Sequence, residues 1–118
     1  MRFEAKHVSA SEAGDYYQVA FETDDPGDDR LDPPGPDRPY LIVQRQFEMA
    51  DGGRCYLETH DEAYIGHYRL RLLDFTREQL IVEIARKQKK RIEVSFAIGQ
   101  ERFDEVKRVI DVIFGKRR

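Results

Sequence analysis

An α+β fold, with an antiparallel sheet of about six to seven strands and one C-terminal helix packed on one face, is expected from three observations. The first is a stretch of strict alternation near the C-terminus. Leu80–Ala85 is followed by the basic run Arg86–Arg91 and then by Ile92–Ile98, where Ile92, Val94, Phe96 and Ile98 share one face and Glu93 and Ser95 the other. Period-two patterning in β-branched and aromatic residues marks half-buried strands, and two such runs joined by a polar turn form a hairpin. The second is the presence of five further short segments of strand character upstream. The third is a single segment of helical period, Gln100–Phe114, placed after the last strand. An antiparallel sheet that lays one face on an amphipathic helix satisfies the burial needs of both.

The elements follow in order. Phe3–Val8 alternates loosely and reads as a short first strand, and Ser9–Asp15 as a polar turn. Tyr16–Thr23 is a second strand with Tyr17, Val19 and Phe21 on one face, and the two pair as an N-terminal hairpin. Residues 24–39 then hold all five prolines and six aspartates. Proline removes backbone donors and like charges repel, so this segment is expected to be an extended, mobile loop. Its two readings are a solvated insertion between strands and an acidic arm for a basic partner, the latter carried by Asp24, Asp25, Asp28 and Asp29.

Tyr40–Phe47 is a third strand, apolar on both faces at its start. Asp51-Gly52 supports a hairpin turn into Arg54–Thr59, the fourth strand. His60–His67 concentrates polar side chains without clean period and reads as a structured loop. Tyr68–Leu73 resumes alternation with Tyr68, Leu70 and Leu72 inward. In the helix, Phe103, Val106, Ile110, Ile113 and Phe114 form an apolar stripe with Val109 beside it. Acidic residues Glu101, Asp104 and Glu105 suit its positive end, and Gly115 stands where a C-terminal cap belongs. Lys116–Arg118 is a basic tail.

At 118 residues the chain is one domain, large enough to bury a single core without metal or disulfide. The lone cysteine, Cys55, has no internal partner, and no run of about 18 apolar residues exists, so no membrane span is expected. The expected location is the cytoplasm. Charge is segregated along the chain: residues 1–66 carry 15 acidic and 6 basic side chains, residues 67–118 carry 8 and 14. Such asymmetry suits either a nucleic-acid face or a steered protein interface, and it also occurs in domains with neither.

No phosphate-binding glycine loop, nucleophile elbow or zinc-ligand spacing can be assembled, so no catalytic residue, cofactor or metal is assigned and the chain is expected not to be an enzyme. The one polar concentration is Glu58, His60, Asp61, Glu62 and Tyr64, with His67 following. Imidazole beside carboxylates could hold a divalent metal or move protons. The alternatives are a partner-contact loop and ordinary loop structure. Arg86–Arg91 could neutralise phosphates in an alternative nucleic-acid or regulatory role, yet no aromatic platform is interleaved with it. Arg45 interrupts an apolar strand, and Glu58 on the neighbouring strand is its expected partner in a buried structural pair.

These segments resemble a known family. Tyr40-Leu41-Ile42-Val43-Gln44-Arg45 is similar to the Tyr-Leu-x-x-Gln-Arg strand of the tenth-numbered immunity-protein family of bacterial polymorphic toxin systems, and Tyr56-Leu57-Glu58 resembles its next strand. Asp61 with Tyr64-Ile65-Gly66 resembles the following Asp-Gln and Tyr-Gly-Gly loop, although Glu62 stands in place of glutamine and Ile65 in place of the first glycine. The similarity runs from Tyr40 to Phe114, with a weaker match over Phe3–Phe21. It implies a small cytosolic binder that neutralises a cognate toxin by occupying its surface. The expected partner is therefore a protein, with no nucleic acid and no membrane, and self-association is open to it through an unpaired sheet edge.

Overall fold

A computed structural model describes residues 1–13, 16–23, 39–46 and 54–115. Among the described residues nine strands precede one helix: β1 (Arg2–Glu4), β2 (His7–Ala13), β3 (Tyr16–Glu22), β4 (Tyr40–Gln46), β5 (Cys55–Thr59), β6 (Gly66–Tyr68), β7 (Leu70–Phe75), β8 (Gln79–Ile84), β9 (Arg91–Ser95) and α1 (Gln100–Ile113). One turn of 3-10 helix, Glu62–Tyr64, lies between β5 and β6. The α+β class holds, but the strands form two sheets rather than one. Their orders are β1-β9-β8-β7 and β2-β3-β4-β5-β6. Among the described residues every pairing is antiparallel except that of β1 with β9.

The split has a local cause. The chain crosses from one sheet to the other without leaving extended conformation, first where Ala5 N donates to Ser95 O and Lys6 N to Glu22 O. It crosses again between β6 and β7, where Ala85 N donates to Arg69 O. Each crossing bends what reads in sequence as one strand. The expected Phe3–Val8 strand is thus β1 plus the start of β2, and Tyr68–Leu73 spans the β6–β7 junction. Taken as bent units, β1–β2 and β6–β7 join the two sheets into a ring of hydrogen-bonded neighbours. Strand β2 also continues through Ser9–Ala13, where a polar turn is expected. Val8 and Ala10 sit opposite Phe21 and Val19, and this pairing outweighs the weak local propensity of a Ser/Ala-rich run.

Inward positions of both sheets meet in one core. Phe21, Leu41, Val43 and Leu57 of the five-stranded sheet pack with Leu80, Val82, Ile84, Ile92 and Val94 of the other. The helix supplies Val106, Val109, Ile110 and Ile113 to the same cluster, as its stripe requires. It contacts β2 and β3 and also runs beside β7, where Phe103 stacks on Phe75 at 5.1 Å. Its packing is therefore mainly on β2 and β3 of the five-stranded sheet, as expected of a helix on one face, with Phe103 reaching the other sheet. Gly115 follows it with φ +62 and donates to Val112 O, so the expected glycine cap is present.

Candidate functional site

Strand parity in the five-stranded sheet sorts its side chains into two faces. Inward go Val8, Val19, Phe21, Leu41, Val43, Cys55 and Leu57. Outward go His7, Ser9 and Ser11 of β2, Gln18, Ala20 and Glu22 of β3, Tyr40, Ile42 and Gln44 of β4, Tyr56 and Glu58 of β5, and His67 of β6. None of these outward positions holds lysine or arginine. The opposite sheet differs: its outer surface carries Arg2, Arg71 and Arg91 together with Glu4, Asp74, Glu83 and Glu93, with Arg2 and Arg91 ion-paired to Glu93. The two faces thus differ in that one carries arginines interleaved with carboxylates and the other carries neither lysine nor arginine.

Glu58 is the centre of the outward face. Tyr40 Oη donates to its Oε2 at 3.1 Å, and Tyr56 Oη donates to its Oε1 at 3.1 Å. Ile42 stands directly opposite Glu58 in the ladder, while Tyr40 lies one step to one side of it and Tyr56 one step to the other. The carboxylate is therefore held from both ends. Burial, the bond to Glu58 and the charge of that carboxylate push the Tyr40 phenol from 10.0 up to about 12. Tyr56 moves in the same direction, chiefly through its bond to Glu58. Around this triad, Gln44 Nε2 donates to Gln18 Oε1 at 3.1 Å, and the Tyr56 and His67 rings lie 5.2 Å apart. His60 Nδ1 accepts from Tyr40 N at 3.3 Å, and its ring meets the edge of Phe3 at 5.9 Å.

The structure divides the expected site residues. Glu58 stands in the outward patch, and His60 lies at its margin between Tyr40 and the core residue Phe3. Asp61 instead works for the backbone: its Oδ1 accepts from Ala63 N at 3.0 Å and caps the 3-10 turn, while its own N donates to Thr59 Oγ1. Tyr64 is buried, with the Arg86 guanidinium 5.2 Å from its ring centre, and Glu62 is exposed to solvent. Asp24, Asp25, Asp28 and Asp29 lie outside the described residues. Among the described residues, no group of three or more His, Cys, Asp and Glu side chains is placed to hold a metal.

The expected Arg45–Glu58 pair does not form. Arg45 shares the inward parity of Leu41 and Val43, whereas Glu58 points outward with Ile42. Arg45 Nη1 instead donates to Ile113 O at 2.9 Å and holds the C-terminal end of α1, where a cation is favoured by the helix dipole. The basic run is also reduced. Arg86 lies over the rings of Tyr64 and Tyr68, 5.2 and 5.1 Å from their centres, and donates to Ala63 O and Lys89 O. Arg91 is ion-paired to Glu93 but stays exposed, so the exposed cations of that turn are Lys87, Lys89, Lys90 and this paired arginine.

The residues that sequence reading missed are Tyr40 and Tyr56. Both stand in the strands that carry the family resemblance, and the parity of Tyr40, Ile42 and Gln44 places them outward. A separate cleft of about 540 Å³ runs between β7 and α1, floored by Leu70, Leu72, Ile110 and Phe114 and rimmed by the Lys107–Asp111 ion pair. Leu73 is the extra residue of a bulge beside it. No helix among the described residues is long and apolar enough to cross a membrane. No family model matches the chain, and neither does a curated protein or a solved structure.

Proposed function

We propose that this chain is a non-enzymatic protein-binding module that neutralises a cognate toxin by covering part of its surface, with the outward face of β2–β6 as the contact. The observation that carries this reading is the composition of that face. Tyrosine, histidine, glutamine and a single central glutamate stand on rigid strands, without lysine or arginine. Aromatic residues with little lysine characterise the centres of protein interfaces, where tyrosine anchors recur among the residues that carry binding energy. Of the two strands that resemble the immunity family, Leu41 and Leu57 serve the core. Tyr40, Gln44, Tyr56 and Glu58 meet on the outward face.

A toxin that attacks nucleic acid tends to be basic, and a face of this sign would steer a fast encounter with it. The experiment is co-purification with a candidate toxin domain taken from a gene neighbouring this chain's own. A stable one-to-one complex on size exclusion supports the reading, and independent elution of the two proteins removes it.

A further inference from the structure

The Glu58 triad has an unusual hydrogen-bond inventory. Both phenol protons are committed to the carboxylate, so Tyr40 Oη and Tyr56 Oη keep only acceptor capacity. Each Glu58 oxygen has accepted one bond and retains a further lone pair, since a carboxylate offers roughly four acceptor positions. The notch therefore presents acceptors alone. Among the described residues no ion pair reaches Glu58, and the outward positions of the sheet supply no cation. A group that fits must bring several donors in a fixed fork together with positive charge, and a planar cation would also lie against the flanking rings.

We propose that Glu58, held between Tyr40 and Tyr56, is the docking point for an arginine side chain of the protein partner. This rests on the protein-binding reading above and names the chemistry that the face selects. A guanidinium carries five donors in one plane, pairs with a carboxylate through two parallel bonds, and stacks on aromatic rings. The chain uses the ring part of this arrangement internally, where Arg86 lies over Tyr64 and Tyr68. An ammonium offers three donors on a point charge and matches the notch less well. A divalent ion would find one carboxylate and two protonated phenols, too few anionic ligands for a site.

The test is an NMR titration of the intact chain at low ionic strength with the peptide acetyl-Gly-Arg-Gly-amide. Two controls are the same peptide with neutral, isosteric citrulline and the peptide with lysine. Shifts should centre on Tyr40, Tyr56 and Glu58, with the citrulline peptide binding at least about tenfold more weakly, because the charge-assisted pair is lost. Glu58→Gln should lower arginine-peptide affinity by a similar factor, and this variant's spectrum reports whether its fold is intact. Absence of shifts, equal binding of citrulline, tighter binding of lysine, or undiminished binding to Glu58→Gln would each overturn the docking point. The wild-type comparison of arginine with citrulline needs no variant. Loss of this selectivity with toxin neutralisation intact removes the docking point alone, and selectivity without neutralisation removes the toxin reading alone.

Discussion

Tyr40 and Glu58 are joined across the β4–β5 pair by a 3.1 Å hydrogen bond in which the phenol donates and the carboxylate accepts. Tyr56 closes on the other oxygen, so one outward glutamate holds two strands' aromatic side chains in place. The arrangement ties a feature of the face to a property that titration can read.

The Tyr40 phenol is raised from 10.0 to about 12 in the folded chain. A raised value means that the folded state holds its proton where the unfolded state releases it. The associated stabilisation is therefore complete below pH 10 and fades as pH climbs toward 12. Ultraviolet titration of wild type against Tyr40→Phe isolates this phenol. Glu58→Gln should move its midpoint back toward 10, and an unchanged midpoint would break the link to Glu58.

Arg45 holds the end of α1 through Ile113 O. Arg45→Met keeps the aliphatic stem and removes the guanidinium, so it should cost about 1–2 kcal/mol from the lost helix-end bond. A lower denaturant midpoint with an unchanged slope is the expected result. An unaltered midpoint would show that the helix end needs no such clasp.

Arg86 combines two ring contacts with bonds to Ala63 O and Lys89 O. Lysine keeps the charge but cannot reproduce the planar fork, so Arg86→Lys should destabilise by about 1–2 kcal/mol. Lys87→Ala, at an exposed neighbour, should change stability by less than about 0.5 kcal/mol. Equal thermal melting of the two variants would remove the distinction.

With Arg86 engaged internally and Arg91 ion-paired at the surface, the turn keeps three exposed lysines. Binding to generic DNA or RNA should be absent at about 50 mM salt, where nonspecific phosphate contacts are strong. Measurable affinity that falls steeply with added salt, and is lost when Lys87, Lys89 and Lys90 become glutamate, would instead support the nucleic-acid role.

Much of the fold was legible because alternation and helical period report burial directly. Ile92 and Val94, Leu80 and Val82, and Val106 and Ile110 all face the core as their spacing requires. The two sheets were not legible, because a strand that bends between them keeps its alternation. Ala5 and Arg69 mark the bends only through bonds to distant partners, Ser95 and Ala85. Strand β2 was obscured by small residues whose pairing, not their propensity, makes them extended. At the site, Glu58 and His60 were found by chemical type. Asp61 was grouped with them by type as well, although its geometry makes it a cap. Arg45 was paired with Glu58 on charge, while parity sends the two to opposite faces. Tyr40 and Tyr56 were passed over as strand aromatics, since no sequence pattern shows two phenols meeting on one carboxylate.

The proposed role is that the outward face of β2–β6 binds and neutralises a toxin. It is tested most directly by growth of cells that co-express this chain with a candidate toxin domain from a neighbouring gene that is lethal when expressed alone. Wild type and the Lys87→Glu, Lys89→Glu, Lys90→Glu triple variant should both restore growth. Glu58→Lys, with its fold verified by circular dichroism, should not. Failure of wild type to protect, or full protection by the folded Glu58→Lys protein, would contradict the claim.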